Sequence, residues 1–176
     1  MIYIESERLT LSPIRPDHWS LFLRLHQDES VIRYVLDYTN IEDIRQRFED
    51  RLPEWKWGDE HWSCLVIRDR YTGESFGIIG FQVSDDGTSA EIGYLLLKEC
   101  HGKGIGTESV FALINYLEHY VPIMEIRAIV TSGNKAGCHI LEKANFTLQD
   151  IQPLAFQIAG EWYDDLIYCY QIKRRH

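Results

Sequence analysis

Three runs of alternating side chains follow one another in the chain with only short turns between them. They span residues 62–68, 76–84 and 89–97, and Gly73 and Gly87 stand in the turns. A period of two predicts β-strands, and turns this short join antiparallel neighbours. A three-stranded meander in the middle of the chain excludes a doubly wound parallel sheet and a TIM barrel.

Helices and further strands flank this meander, and together they predict an α+β (mixed α/β) fold around one mixed sheet. Asp17 and Asn40 are the expected N-caps of the first two helices, and Asn145 is expected in the left-handed conformation after the last one. The expected elements are strands at 8–14 and 124–131, helices at 17–28, 40–55, 104–121 and 134–144, and a final hairpin of 146–158 and 162–172 with its tip at Ala159–Gly160.

Length and charge limit the classes of protein to consider. The chain has 176 residues, which predicts a single domain over 1–176. Its 18 basic and 27 acidic residues give a net charge of 18 − 27 = −9, so we expect no nucleic-acid partner. An acidic surface instead favours cationic small molecules or basic peptide ends.

The distribution of cysteines and apolar residues predicts a reduced, cytoplasmic protein with no membrane partner. Of the four cysteines, no two form a C-x-x-C pair, which argues against a zinc ribbon and a disulfide scaffold. No apolar run reaches 18 residues, and charged residues occur from position 5 onward, so we expect neither a spanning segment nor a secretory signal.

The segment from His101 to Thr107 is a glycine-rich turn between a strand and a helix. Its glycines alternate at 102, 104 and 106, which permits positive φ angles and a close approach of ligand to backbone. Successive N–H groups at a helix N-terminus bind phosphate, so the turn predicts a phosphate or pyrophosphate cradle. The Walker spacing is absent, and Thr107 stands where the dinucleotide fingerprint needs its third glycine.

This turn and the segment that follows it resemble the GNAT superfamily of acetyl-CoA-dependent N-acetyltransferases. The similar motifs are HGKGIGTE before a helix and SGNKAGCHILEKANF after the next strand. Within the superfamily, ESERLTLSPI, AEIGYLLL and LEKANF resemble the RimJ/RimL-type branch. The resemblance covers about residues 5–172 and implies a mostly antiparallel central sheet, helices on both faces and a splayed pair of strands, 89–97 and 124–131.

The resemblance also implies which residues hold the co-substrate acetyl-CoA, with no metal required. The strand backbone would pair with the pantetheine arm, the turn would hold the pyrophosphate, and Asn134 would face the pantetheine. His101 is a departure, because the family places Gln or Arg there. The implied cofactor-binding residues are Tyr94, Leu95, Leu96, His101, Gly102, Lys103, Gly104, Ile105, Gly106, Thr107 and Asn134.

The implied reaction is transfer of the acetyl group to a primary amine, either a protein N-terminus or a small-molecule amine, by direct attack in a ternary complex. Glu91 is the candidate general base, and a backbone N–H near Leu96 is the candidate oxyanion donor. The family's proton donors are missing, because Gly137 and Leu141 stand at their places. Asn134 is the candidate catalytic residue there, and Ser132, ordered water or no proton donor at all are the alternatives.

The acceptor is expected between the first two helices and the final hairpin, beside aromatic and acidic side chains. An alternative function is a catalytically silent module that binds or senses acyl-CoA, which the His101 and Gly137 departures keep open. A metal-dependent hydrolase lacks H-x-x-x-H or paired cysteine spacing. The apolar final hairpin leaves pairing into a homodimer open. The candidate acceptor-site residues are Trp55, Trp57, Trp62, Trp162, Tyr163, Asp59, Glu60, Asp164 and Asp165.

Overall fold

The computed structural model describes residues 1–37 and 39–174, and the strands among them form one mixed sheet. The spatial order is β1-β2-β3-β4-β5-β6-β8-β7, so the last strand lies between β6 and β7. Neighbouring strands run antiparallel except for β5 and β6. The strands are β1 (Ile4–Glu5), β2 (Leu9–Pro13), β3 (Ser63–Asp69), β4 (Ser75–Val83), β5 (Ser89–Leu96), β6 (Glu125–Thr131), β7 (Thr147–Ile158) and β8 (Glu161–Gln171).

Five α-helices, α1 to α5, lie among the described residues. The helices lie on opposite faces of the sheet, because successive residues of a strand face opposite sides. Tyr94 and Leu96 of β5 lie against the α4–α5 pair, whereas Gly93 lies under Trp62 on the α1–α3 side. The prediction of helices on both faces is confirmed. The helices are α1 (Trp19–Gln27), α2 (Glu29–Ile32), α3 (Ile41–Asp50), α4 (Ile105–Tyr120) and α5 (Lys135–Lys143).

Two predicted helix boundaries are wrong, and proline explains both. Pro16 begins a short 3-10 turn, so α1 begins only at Trp19 and Asp17 is not its N-cap. The predicted helix 40–55 ends at Asp50, because Pro53 disfavours helical backbone in the residue before it. Trp55 therefore lies in the connection to β3.

Other local predictions are confirmed. The Asn40 side chain accepts a hydrogen bond from the Asp43 backbone N–H at 2.9 Å and caps α3. Asn145 follows α5 with a φ of 67°, and Ala159 and Gly160 form the hairpin tip with φ angles of 50° and 82°.

The parallel pair β5 and β6 diverges early along its length. Register holds only for Ser89, Ala90 and Glu91, which lie opposite residues 125–127. From Ile92 to Leu96, β5 has no β6 partner. The predicted splay is confirmed, and it leaves one backbone edge of β5 free to pair with a ligand.

The sheet is covered unevenly beyond the splay. α4 and α5 cover one face of β6 and β8, where Tyr168 and Tyr170 are held by Glu142 of α5 and Glu118 of α4. On the other face Ile129 is 48% exposed. This open face lies beside α1–α3. No helix of the described residues is long and apolar enough to cross a membrane.

Candidate active site

The glycine-rich turn ends in a helix N-terminus that no side chain caps. Gly102 and Gly104 both have a φ of 76°, a left-handed conformation that favours glycine. Gly104 is the N-cap of α4, and no side-chain hydrogen bond is made there. The first N–H groups of α4 therefore have no side-chain acceptor and carry the positive end of the helix dipole.

The cradle fits the pyrophosphate of a CoA molecule by its backbone and its packing. A Cβ added at Gly106 would lie 3.0 Å from Ile140 Cδ1 and 3.2 Å from Leu96 Cδ1, so the first turn of α4 packs tightly between α5 and β5. That packing holds the uncapped N–H groups at the end of the splayed strand. An anion at this position would satisfy them.

An arginine that sequence reasoning missed ties the cradle to β2. Arg8 donates from Nε to Glu108 Oε1 at 2.7 Å and from Nη1 to the Lys103 carbonyl at 3.1 Å. Glu108 Oε2 also accepts from the Ser6 hydroxyl and from the Arg8 backbone N–H. Arg8 and Glu108 thus form a clamp across the base of the turn. The 100-residue separation between the two left no local pattern to find.

The free edge of β5 lies directly before the cradle. Tyr94, Leu95 and Leu96 belong to the stretch of β5 that has no β6 partner. The His101 ring turns back to the strand, with Nε2 3.0 Å from the Leu96 carbonyl oxygen. His101 therefore braces the end of β5.

Asn134 caps α5 beside the splay. Its Oδ1 accepts from the Gly137 N–H at 3.0 Å, so its amide nitrogen is the group left for a ligand. A Cβ at Gly137 would lie 2.8 Å from Asn134 Nδ2, which explains why a side chain at 137 and this Asn134 conformation are incompatible. The Ser132 hydroxyl accepts from the Asp164 N–H at 3.1 Å and is engaged in joining β8.

Glu91 is the last residue of β5 that pairs with β6, so it lies where the splay opens. Burial, with the Asp165 charge as a second cause, raises the pKa of Glu91 above its ordinary value. Burial also raises the pKa of Asp165. By strand register Asp165 faces the same side of the sheet as Glu91, the side toward α1–α3. The two carboxylates thus share one face of the sheet, and the Asp165 charge acts on Glu91 across it.

The aromatic side chains expected at the acceptor site are divided among several places. The Trp57 ring lies by Gly87 in the β4–β5 turn, and Trp55 packs edge-on against Phe81 with ring centroids 4.9 Å apart. Trp62 covers Gly93 next to the splay. Tyr163 of the hairpin meets Tyr34, which follows α2, at 6.3 Å between centroids. Trp62 and Tyr163 alone remain near the open sheet face.

The histidine, cysteine and carboxylate side chains of the described residues form no group of three or more that could hold a metal ion. The fold, the splay after Glu91 and the uncapped cradle together define the class of this protein. A family model described as "Acetyltransferase (GNAT) domain" matches residues 8–147. The chain belongs to this family, and it is an acetyl-CoA-dependent acyltransferase by family and fold.

The chain is also similar to individual members of the family. It is 32% identical over 136 residues to the probable N-acetyltransferase YjcK of Bacillus subtilis, covering 73% of this chain and 71% of that protein.

Solved structures share the fold at lower identity. RimL, a ribosomal L7/L12 α-N-protein acetyltransferase in complex with coenzyme A, has a TM-score of 0.84 and 21% identity over 97% of this chain and 98% of its own. Spermidine N-acetyltransferase from Vibrio cholerae, in complex with CoA and spermine, has a TM-score of 0.82 and 16% identity over 95% and 97%. At these identities the likeness shows a shared fold.

Proposed function

We propose that this protein transfers an acetyl group from acetyl-CoA to a primary amine, on a protein N-terminus or a small molecule, by direct attack while both substrates are bound. The observation that carries the proposal is the splay of β5 from β6 immediately after Glu91, which ends at an uncapped helix N-terminus. The two named neighbours act on a protein N-terminus and on spermidine, so both acceptor classes stay open.

Backbone groups of this chain would hold acetyl-CoA. The N–H groups from Gly102 to Thr107 face the pyrophosphate position, and the free edge from Tyr94 to Leu96 is available to the pantetheine arm. The Asn134 amide nitrogen, at the start of α5, is the proposed side-chain donor to the pantetheine, since its Oδ1 is engaged with the Gly137 N–H. Bound acetyl-CoA supplies an activated thioester, and the chain supplies its position and a proton acceptor.

Glu91 is the proposed general base. An amine with a pKa of about 10.4 is only about 0.1% neutral at pH 7.4, which costs about 4 kcal/mol. A half-buried carboxylate with a raised pKa is a stronger base than an exposed one, so it offsets part of this cost. Asp165 reinforces that shift and adds a negative charge that attracts the ammonium form.

The protein partner, if it has one, is either the acceptor's N-terminus or a second copy of the chain. The edge strand β7 exposes Leu148, Ile151 and Leu154, which are 47%, 48% and 63% exposed. Unpaired apolar edges favour strand pairing between copies. A homodimer through β7 is tested by sedimentation velocity, and a monomer at 100 times the assay concentration contradicts it.

The test of the proposed function is acetyl transfer across a panel of amines, measured for the wild-type protein and for Glu91→Gln. We expect Glu91→Gln to lower kcat by about 100-fold or more and to leave the acetyl-CoA Kd unchanged. The control is Glu74→Gln, which changes an exposed glutamate and should leave kcat unaltered. A position beside Glu91, such as Gln82, would not serve as a control.

The alternative function, a silent acyl-CoA-binding or sensing module, is favoured by the Gly137 and Leu141 positions, which carry no proton donor. Tight acetyl-CoA binding without transfer to any amine in the panel would establish it. Transfer that Glu91→Gln does not slow would contradict the assignment of the base.

A further inference from the structure

A cavity of about 580 Å³ opens between the end of α3 and the segment that enters β3. It lies on the α1–α3 side of the sheet, the side that Glu91 and Asp165 face. Two arginines and a tryptophan supply its charged and flat surfaces, namely Arg47, Arg51 and Trp62. The cavity is not part of the CoA path described above.

Neither guanidinium in this cavity is paired with a carboxylate. Within the described part of the chain, Arg47 and Arg51 make no ion pair, and Arg47 Nη1 is buried without a hydrogen-bond partner. Burial lowers the pKa of Arg51, whose guanidinium lies over the Phe22 and Trp62 rings at 5.7 and 6.0 Å from their centroids. A buried guanidinium nitrogen without an acceptor is costly, so Arg47 favours a counter-ion from outside the chain.

The carboxylates that line the same cavity make their hydrogen bonds elsewhere, although the charge of Asp50 still acts to raise the pKa of Arg51. Glu49 accepts from Arg45 at 2.9 Å, and Asp50 accepts from Gln46 at 2.9 Å. His61 Nε2 lies 3.2 Å from the Pro53 carbonyl oxygen.

The α3 C-terminus itself offers only a partial negative charge to the two arginines. In a chain with nine more acidic than basic groups, two unpaired guanidiniums in one cavity are therefore a site for an anion.

The Trp62 ring joins the cavity to the reaction slot, which is the gap between β5 and β6 beyond Glu91. A Cβ at Gly93 would lie 3.7 Å from this ring, and Gly93 is two residues from Glu91 on β5. A molecule whose amine lies at Glu91 can therefore extend past the Trp62 edge toward the arginines. The slot favours a cation, and the cavity favours an anion.

We propose that the Arg47–Arg51 cavity is an acceptor subsite for a carboxylate, so that the preferred acceptor carries both a primary amine and an acidic group. This rests on the proposed function for the amine, but the anion site itself does not require turnover. Free acidic amino acids and peptides with an acidic side chain near the N-terminus share this chemistry. A polyamine, which has no anionic group, is the disfavoured acceptor.

The first arm of the test is equilibrium binding and needs no catalysis. N-acetyl-aspartyl-alanine amide and N-acetyl-asparaginyl-alanine amide are titrated into the protein by calorimetry in the presence of CoA. We expect the aspartyl compound to bind about tenfold more tightly, and the difference to vanish in the Arg47→Gln, Arg51→Gln double variant. Because the interaction is ionic, the difference should shrink as salt is raised.

The matched control removes two positive charges elsewhere, at the exposed Arg15 and Lys173. Arg15→Gln with Lys173→Gln should keep the aspartyl preference. Unchanged acetyl-CoA affinity reports that each variant is folded. If the double variant does not fold, Arg47→Gln alone is compared with Arg47→Lys, which keeps the charge while Arg51 keeps its packing on Trp62.

The second arm measures transfer to the unacetylated forms, aspartyl-alanine amide and asparaginyl-alanine amide, with spermidine and free aspartate beside them. We expect a higher kcat/KM for both carboxylate-bearing acceptors than for their neutral or cationic counterparts. The ratio of kcat/KM for free aspartate to kcat/KM for the aspartyl peptide distinguishes a small-molecule acceptor from a peptide acceptor.

The outcomes separate the two claims. Equal binding of the aspartyl and asparaginyl compounds, or a preference that survives the double variant, overturns the subsite. Aspartyl binding that depends on the arginines, without transfer to any amine, overturns the proposed function and leaves the anion site standing. Preferred transfer to spermidine would overturn the subsite as a determinant of acceptor choice.

Discussion

Glu91, the proposed base, is the last residue of the β5–β6 pairing. The sequence placed it on the strand expected to line the slot, and the register puts it where the two strands separate. Its second carboxylate neighbour, Asp165, was grouped with the acceptor residues on the basis of composition alone. Their proximity depends on the insertion of β8 between β6 and β7, which no local pattern of the sequence predicts.

The Glu91–Asp165 pair predicts a specific pH dependence. The base works when ionised, and its pKa is raised, so activity should fall as pH drops through a value above that of an ordinary glutamate. Asp165→Asn removes the second cause of the shift, so the acid limb of kcat/KM should move to lower pH. The measurement is a pH profile of the two proteins.

Asp150→Asn is the control for that profile, because Asp150 is an exposed carboxylate of β7 on the same sheet face. It should leave the limb in place. An acid limb that stays put in Asp165→Asn, or moves upward, would refute the coupling of the two carboxylates.

At the scale of elements, the meander, the consecutive β5, α4 and β6, and the glycine-rich turn were predictable because each rests on neighbours in the sequence. The helix ends at Trp19 and Asp50 were not, since Pro16 and Pro53 outweighed the apolar stripes. The short α2 was missed, although Asp28 caps it by accepting from the Ser30 N–H at 3.0 Å. One turn of helix has too few residues to display a period.

The clamp between Arg8 and Glu108 predicts that β2 contributes to cofactor affinity. Arg8→Ala frees the Lys103 carbonyl and removes the counter-charge of Glu108 at the cradle, where the carboxylate then repels a pyrophosphate. We expect acetyl-CoA affinity to fall about tenfold, which corresponds to one charged hydrogen bond. Calorimetric titration measures the change.

Arg45→Ala provides the comparison for the clamp. Arg45 is 46% exposed against 48% for Arg8, and it also pairs with a glutamate, but on α3. Its removal should not alter acetyl-CoA affinity. Equal effects of the two substitutions would mean that the clamp has no particular role at the cradle.

For the whole molecule, the sequence predicted fold class and family but not how the sheet is distributed between covered and open parts. The slot opens where β5 leaves β6, and the arginine cavity lies between the end of α3 and the segment that enters β3. Arg47 and Arg51 appear in the sequence as an ordinary i, i+4 pair on a helix. Their lack of carboxylate partners becomes visible only in three dimensions.

Global stability should depend on the buried His26. Burial lowers its pKa from an ordinary 6.5 to about 4, with the charges of Arg47 and Arg51 as further causes. Because the folded pKa is depressed, the folded state binds fewer protons than the unfolded state between these values. The stability that neutral His26 contributes is therefore fully present above pH 6.5 and is lost as pH falls toward 4.

The expected loss from His26 alone is roughly 2 kcal/mol between pH 7.5 and 5. Urea unfolding of the wild-type protein and of His26→Leu at both pH values measures this loss. The difference between the two proteins isolates the contribution of His26, because the carboxylates contribute equally to both. The same stability change in both proteins would show that His26 does not titrate as its burial implies.

Calorimetric titration of acetyl-CoA into the purified protein tests the central claim most directly. We predict micromolar binding to the wild type and none to the Gly104→Val, Gly106→Val double variant, because the added side chains force Gly104 out of its left-handed conformation and meet Ile140 and Leu96. Gly73→Val is the matched control, with the same φ of 76° in open space. Binding that survives the double variant, or no binding by the wild type at millimolar acetyl-CoA, would contradict the account.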